Sequence, residues 1–576
     1  MQEFKVWAPE PESVTLLSGG RELRMHRGSG GWWHVSDERA GPGTHYGFCL
    51  DGGPPRPDPR SPSQPGGPED LSEVVDQSAF AWKDASWTGM TMKGAVLYEI
   101  HVGTFTAEGT FDAAIEKLPL LVDIGVDAVE LMPVAEFPGD RGWGYDGVNL
   151  FAPHHAYGGP DGLKRFVDTC HCYGLGVVMD VVYNHLGPSG NYLPEFGPYF
   201  SDRHQTNWGS AINFDGSGSD EVRRFVIDNA LGWLRDYHAD GLRLDAVHAI
   251  VDDSARHVLE QLSAEVDALS SHLRRPLTVI AETDLNDPRF VRPLDSGGYG
   301  LDSAWADEWH HALHAALAGE RTGYYEDFGS LAHLGRALRQ AWVYDGTWSR
   351  HRGRHHGRSP SGLPGHRFVV FTQNHDQVGN RPLGERSSAL MNEGRLRIAA
   401  ALLLTGPFTP LLFQGEEWGA TSPFLYFTDH HDPELGRAVS EGRRNEFPYW
   451  SAGTGDVPDP QAPTTFNRSK LNWDEREQAP HGCLLAWYKR LIALRRRFAD
   501  LSDPRLERTE VIVEEETQTV VVHRGVFTVL VNLSAVMQDF PLVPSWDLIA
   551  ASSPDITSAG EAVSLPPDSV AIVRTA

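Results

Sequence analysis

Residues 241–250 read GLRLDAVHAI, an apolar stretch broken by Arg243 and stopping at Asp245. A run of roughly four to eight such residues bounded by polar ones reads as a strand buried on both faces, and a strand ending on a lone carboxylate exposes that charge at the sheet's edge. Two further segments end alike: LTVIAETD (277–284) reaches Glu282, and RFVVFTQNHDQVGN (367–380) leads to Asp376. Any one of these aspartates could equally be a helix N-cap. Glu282, however, is a poor N-cap, and His248 and His375 crowd the other two acids. The three together read as the working end of one enzyme.

The same rhythm extends outward on both sides. From Ala95 onward, strand-like runs alternate with helical ones: AVLYEIHV, DAVELMPV, GVVMDVVYNH, GLRLDAVHAI, LTVIAETD, SAWADEWHH, RFVVFTQNHD and TPLLFQGEEW. Eight right-handed parallel crossovers close into an α/β (β/α)8 TIM barrel with its active site at the C-terminal ends of the strands. The barrel is expected over residues 94–498, with a loop insertion near 186–219 that is rich in Gly, Asn and aromatics. Long loops without a helical period are usually functional. Residues 1–93 carry short alternating segments (FKVWA, SVTLL, GWWHVS, HYGFCL) between Gly and Pro clusters, and residues 499–576 return to that pattern; each predicts a β-sandwich domain. The Pro-rich stretch from Asp51 to Asp70 reads as an ordered or extended linker.

Composition narrows the partners. The 576 residues hold 50 Lys+Arg against 78 Asp+Glu, a formal charge of −28. Such a chain repels phosphate backbones and anionic lipid, so neither nucleic acid nor membrane is an expected partner. The N-terminal MQEFKVWAPEPESV has no basic n-region or apolar core, and only four scattered cysteines occur: Cys49, Cys170, Cys172 and Cys483. A soluble, cytoplasmic, monomeric protein is expected. Cys170-His171-Cys172 falls on a predicted helix, where i and i+2 point about 200° apart and cannot share one ion. No Asp-rich calcium loop is visible, Asp202 and Asp215 look isolated, and RHRGRHHGR (350–358) reads as a solvated loop near the active-site rim. No metal and no cofactor is expected.

Two carboxyl groups facing each other across a sugar ring can split a glycosidic bond, one attacking the anomeric carbon and the other protonating the leaving oxygen. Arg243 lies two residues before Asp245 on one strand, so both side chains emerge on the same face and the guanidinium can hold Asp245 ionised. Asp245 is therefore the better nucleophile. Glu282 follows the apolar run TVIA with no cation nearby in sequence, a setting that raises a carboxyl's pKa and suits a general acid. Aromatic residues in loops and strand ends (Trp143, Tyr145, Trp208, Trp305, Trp309, Trp418) fit a carbohydrate ligand.

The blocks DVVYNH, GLRLDAVH, AETD and QNHDQVG resemble, in order and spacing, the four sequence regions of the α-amylase family of glycoside hydrolases. The resemblance implies Asp245 as nucleophile, Glu282 as acid/base and Asp376 as a third carboxylate binding sugar hydroxyls. It also implies that Arg243 supports the nucleophile, that Tyr145 stacks on the sugar and that His185 and His375 touch it; Asp180 and Asn184 would be structural. FGPYFSDRHQTNWGSAINFDG, DEWHHALHAAL and LFQGEEWGATSPFLYFTDHHDPELGRAVSEGRRNEF are similar to the maltooligosyltrehalose trehalohydrolase group of that family. That group cleaves the α-1,4 bond next to a terminal trehalose with anomeric retention, beside a companion maltooligosyltrehalose synthase that makes its substrate from malto-oligosaccharides. His248 is a further candidate substrate contact, and Trp208, Glu308, Trp309 and His310 are candidates for gripping the bent trehalose unit. Two neighbouring activities share the layout and the acids: a 1,4-α-glucan branching enzyme and an isoamylase-type debranching enzyme. A glycan-binding protein built on the same barrel is the non-enzymatic alternative, which the presence of all three acids disfavours.

Overall fold

The structure is a computed structural model and describes residues 1–447, 457–542, 545–559 and 562–575. Eight parallel strands close into a barrel: β1 (Leu97–Ile100), β2 (Ala128–Leu131), β3 (Gly176–Val181), β4 (Gly241–Leu244), β5 (Thr278–Ala281), β6 (Ser303–Trp305), β7 (Phe368–Phe371) and β8 (Thr409–Phe413). They neighbour one another in chain order, and β8 pairs with β1 through Leu411 and Leu97 to complete the ring. These are the eight strands expected from the sequence.

Strand parity decides what fills the barrel, because alternate side chains face opposite sides. Leu97, Ala128, Val178, Ile280, Trp305, Val369, Phe371 and Leu411 pack as an interior apolar cluster, joined by Met90 and Met92. Two residues further along the same faces come Glu99, Glu130, Asp180 and Glu282, and Arg243 precedes Asp245 by the same step. The lower interior is thus oil and the upper interior is ionic. The outward-facing residues, such as Tyr98, Val129, Val177 and Val279, join the large core shared with the surrounding helices.

The helices differ from expectation in two places. The segment 111–125 forms two short helices, Phe111–Ile115 and Leu118–Ile124, with Pro119 in the first turn of the second. More consequentially, β6 stops at Trp305 and a helix runs from Asp307 to Leu317, so the DEWHH expected at a strand end lies inside a helix. Asp307 and Glu308 occupy its first turn, where acidic side chains complement the positive end of the helix dipole. Cys170, His171 and Cys172 lie on the helix Gly159–Cys172, and all four cysteines are unpaired.

At the N-terminus two antiparallel sheets face each other, one holding Gln2–Trp7, His26–Arg27 and Trp32–Asp37, the other centred on Val14–Ser18 and His45–Leu50. The Pro-rich stretch is ordered: Asp58 is buried and accepts a hydrogen bond from the Tyr46 hydroxyl at 2.8 Å, and Arg60 pairs with Asp228 on a barrel helix at 2.9 Å. At the C-terminus a five-stranded and a three-stranded sheet enclose Leu530, Phe540, Val563, Leu565 and Val573. No helix among the described residues is long and apolar enough to cross a membrane.

Candidate active site

A cavity of about 460 Å³ opens at the C-terminal mouth of the barrel and is lined by Asp245, Glu282 and Asp376, together with Tyr145, His185, Trp208, His248 and His375. Each acid is positioned by a distinct local device. Asp245 follows β4, and Ala246 beyond it adopts a left-handed conformation (φ 39°, ψ 51°) that a residue with a Cβ rarely tolerates. That kink turns the Ala246 N–H onto Glu282, whose Oε2 accepts it at 2.6 Å. The two carboxyl groups therefore stand one peptide apart and share a cavity wall. Asp376 sits in the first turn of the helix His375–Gly379, fixed by a capping box in which Asn374 Oδ1 accepts from Gln377 N at 3.4 Å while Gln377 Oε1 accepts from Asn374 N at 3.0 Å; Asn374 Oδ1 also accepts from Asp376 N at 2.9 Å.

Arg243 is fully buried beneath the acids. Its Nη1 donates to Asp245 Oδ1 at 2.7 Å and to both Asp180 oxygens at 2.9 Å, while its guanidinium lies 4.3 Å over the Trp305 ring. Asn184 Nδ2 donates to Asp245 Oδ2 at 2.7 Å. Asp245 thus meets a charged donor on one oxygen and a neutral donor on the other, an environment for an anion. Glu282 is the opposite case. Burial drives its carboxyl well above the usual range against the pull of Arg243, and Asp245, Asp307 and Asp376 add to the rise. No cation lies near Glu282 in sequence, but in space Arg243 Nη2 lies 3.9 Å away, beyond hydrogen-bond reach, and burial outweighs it.

Tyr145 follows Gly144, whose φ of 100° and 2.1 Å clearance between an added Cβ and the Pro133 carbonyl admit only glycine. The Tyr145 ring stacks on His375, with centroids 5.2 Å apart, and its hydroxyl donates to Asp180 Oδ2 at 2.7 Å. His185 Nδ1 lies 2.5 Å from Asn184 Oδ1, and its ring stacks on Trp208 at 5.0 Å. Trp208 tips a hairpin of the insertion, Phe200–Thr206 with Gly209–Ile212, and is half exposed there. His248 is exposed on the cavity wall. The basic loop also reaches this rim: Arg352 donates to the cavity residue Asp284 at 2.9 Å.

Three of the expected substrate contacts lie away from the cavity lining. Glu308, Trp309 and His310 are buried on the helix after β6 and do not line the cavity. Glu308 Oε2 accepts the backbone N–H groups of Val343 and Tyr344 at 2.7 and 2.8 Å, and His310 is held between the Thr372 carbonyl (2.7 Å) and the Tyr325 hydroxyl (2.8 Å). They tie the helix to its neighbours. A Glu308→Ala protein strands two buried donors and is expected to lose ~2–4 kcal/mol of stability while keeping its product pattern; denaturant unfolding and product analysis read the two separately, and a changed product pattern would return Glu308 to the pocket.

Residues that sequence reading overlooked include Asp146, Asp284, Asn380 and Tyr426 on the cavity wall and Glu99 beneath it. Asp307, beside Glu308, has its carboxyl pushed up to about 7 by burial and by Asp376 and Asp284. Among the described residues two groups have metal-ligand spacing, Glu136–His154–His155 and His204–Asp215–Asp253. Asp215 is accordingly not isolated, and Arg203 already pairs with it at 2.6 Å. Glu136 is likewise taken up by hydrogen bonds from both histidines at 2.8–2.9 Å.

Residues 78–208 match the family described as the α-amylase catalytic domain, and residues 504–572 match a domain of unknown function. A malto-oligosyltrehalose trehalohydrolase of Arthrobacter ramosus is 55% identical over 86% of this chain and 87% of its own length. One from Rhizobium sp. strain M-11 is 48% identical over 99% of this chain and 97% of its own. A crystal structure from Salmonella typhimurium, provisionally assigned as an α-amylase, superposes over 100% of this chain and 97% of its own with a TM-score of 0.92 at 40% identity.

Proposed function

Because the chain belongs to the malto-oligosyltrehalose trehalohydrolase family of α-amylase-type glycosidases, we infer that it hydrolyses the α-1,4-glucosidic bond next to the terminal trehalose of maltooligosyltrehalose and releases trehalose. The observation that carries the chemistry is the Ala246 N–H bond to Glu282, which sets the Asp245 and Glu282 carboxyl groups side by side at one cavity wall. Asp245 attacks the anomeric carbon while Glu282 passes its proton to the glycosidic oxygen, freeing trehalose and leaving a glycosyl ester on Asp245. Glu282, now ionised, takes a proton from water; the hydroxide opens the ester, and the second inversion restores the α-configuration.

Arg243 and Asn184 aim Asp245, and Asp376 accepts the hydroxyl protons of the sugar being cleaved. Tyr145 stacks on that sugar, with His185 and His375 beside it. Trp208 and His248 contact the substrate from the rim, where the half-exposed indole offers an apolar face to a bent disaccharide. The chain divides into an N-terminal β-sandwich (1–93), the catalytic barrel (94–498) and a C-terminal β-sandwich (499–576). Four unpaired cysteines fit a reducing cytoplasm, where a maltooligosyltrehalose synthase would supply substrate to a monomeric enzyme.

The test supplies maltotriosyltrehalose, linear maltodextrin and amylopectin separately and resolves the products by chromatography. Trehalose and maltotriose from the first, with slow attack on the others, is the expected result. New α-1,6 branches would instead assign a branching enzyme, and cleavage of amylopectin branches an isoamylase-type activity. Relatives of 48–55% identity that carry the trehalohydrolase name favour the first outcome.

A further inference from the structure

Glu99 stands in the middle of β1, 1% exposed, in a strand whose other residues are apolar or aromatic. A carboxylate so deep in a barrel demands a partner. It has one residue twice over: Oε1 lies 2.5 Å from His375 Nδ1, and Oε2 accepts the backbone N–H of the same His375 at 3.1 Å. A single side chain from the first strand thus fixes both the main chain and the ring of a residue 276 positions away.

The other face of that ring points to the cavity. His375 Nε2 lies 2.7 Å from the Tyr145 hydroxyl and 3.5 Å from Asp376 Oδ1, and Tyr145 in turn lies 2.7 Å from Asp180 Oδ2. The phenol has only one proton to give. With a neutral imidazole protonated on Nδ1, that proton could serve Nε2 or an ionised Asp180, and one of the two short contacts would set lone pair against lone pair. With a doubly protonated ring all the contacts are satisfied: Nδ1–H to Glu99, Nε2–H to the Tyr145 oxygen, and the Tyr145 proton to Asp180.

We propose that Glu99 is a positioning residue that holds His375 as an imidazolium, so that its Nε2–H locks Tyr145 and faces Asp376 in the sugar subsite. The catalytic part of this inference rests on the glycosidase reading above; the protonation part does not. The groups facing the ring are Glu99 from β1, Glu130 from β2, Asp180 from β3, Arg243 from β4, the adjacent Asp376, and His101 after β1. Burial and Arg243 oppose the charge on His375, while Glu99 first and then Asp376 favour it, and its pKa is raised to about 9. Glu130 pairs in register with Glu99, and burial raises its carboxyl well above the usual range, so it adds little negative charge. A raised histidine pKa stabilises the fold fully below the ordinary value of 6.5, and that contribution fades as pH climbs through about 9.

The experiment follows the imidazole Cε1–H resonances of ¹³C-histidine-labelled protein from pH 6 to 10.5, with His375 assigned by its loss in His375→Gln. The wild-type ring is expected to titrate near 9, and in Glu99→Gln the midpoint is expected to fall by about one unit or more. On maltotriosyltrehalose, Glu99→Gln is expected to lose ~10- to 100-fold in kcat with a KM within about threefold, its alkaline limb moving with the ring's titration. A wild-type His375 titrating at or below its ordinary value overturns the proposal even should the variant fail to fold, as does an unmoved midpoint in Glu99→Gln. A wild-type midpoint near 9 in a protein that cleaves no glucan would sink the glycosidase reading and leave the Glu99–His375 pair standing.

Discussion

Asp245→Asn enzyme is expected to fold and to lose on the order of 10⁴-fold or more in kcat on maltooligosyltrehalose. The replacement has almost the same shape, so the loss reports the charge. Two donors converge on this carboxylate, Arg243 on Oδ1 and Asn184 on Oδ2, each at 2.7 Å. An asparagine has one carbonyl oxygen for the two of them, and its own amide must then face a donor, which costs about 1–3 kcal/mol of stability. The weak nucleophile and the mispaired site act in the same direction on rate, so a second measurement separates them. A 5-fluoro-α-glucosyl fluoride, whose ester intermediate breaks down slowly, is expected to add one glycosyl mass to the peptide containing Asp245 in the wild type. Mass spectrometry placing the adduct on another residue, or an Asp245→Asn turnover within tenfold of wild type, would remove Asp245 from the nucleophile's role.

Why was this acid legible in the sequence when Glu99 was not? The sequence shows a carboxylate after an apolar run, and at Asp245, Glu282 and Asp376 that placement coincides with the barrel's open end. Glu99 lies inside such a run, LYEI, and its meaning depends on a partner 276 residues away that only closure of the ring brings near. One local signal was available, since parity puts Glu99 two residues above Leu97, as Glu282 stands above Ile280. The strand-end placement of Glu308 was wrong for the converse reason. Its strand is three residues long, and an aromatic-rich segment that could continue as strand starts a helix instead, turning the glutamate onto the Val343 and Tyr344 amides. Trp208 was legible as a loop aromatic, but its stacking on His185 required the hairpin to fold back across the mouth.

Glu282→Gln is expected to change activity and stability in opposite directions. A glutamine keeps an oxygen for the Ala246 N–H, which Glu282 Oε2 accepts at 2.6 Å, but cannot supply a proton to the leaving oxygen. The expected loss is ~10²- to 10⁴-fold in kcat for substrates with a sugar leaving group. It should be far smaller for α-glucosyl fluoride, whose leaving group needs no proton, in the step that forms the ester. The stability effect follows from linkage. The native carboxyl holds its proton well above the ordinary 4.5, while the unfolded chain releases it there, so between those values the native state binds the extra proton. Stability contributed by this group therefore falls as pH rises through that window. Glutamine, which cannot ionise, removes that slope, so Glu282→Gln should melt higher than wild type at neutral and alkaline pH and converge with it toward pH 4. The site would then be one where function keeps a carboxyl that the fold would rather see neutral. A Glu282→Gln enzyme that melts below wild type across the whole range, or one that cleaves maltotriosyltrehalose at near wild-type speed, would show that Glu282 is not the buried acid of this reaction.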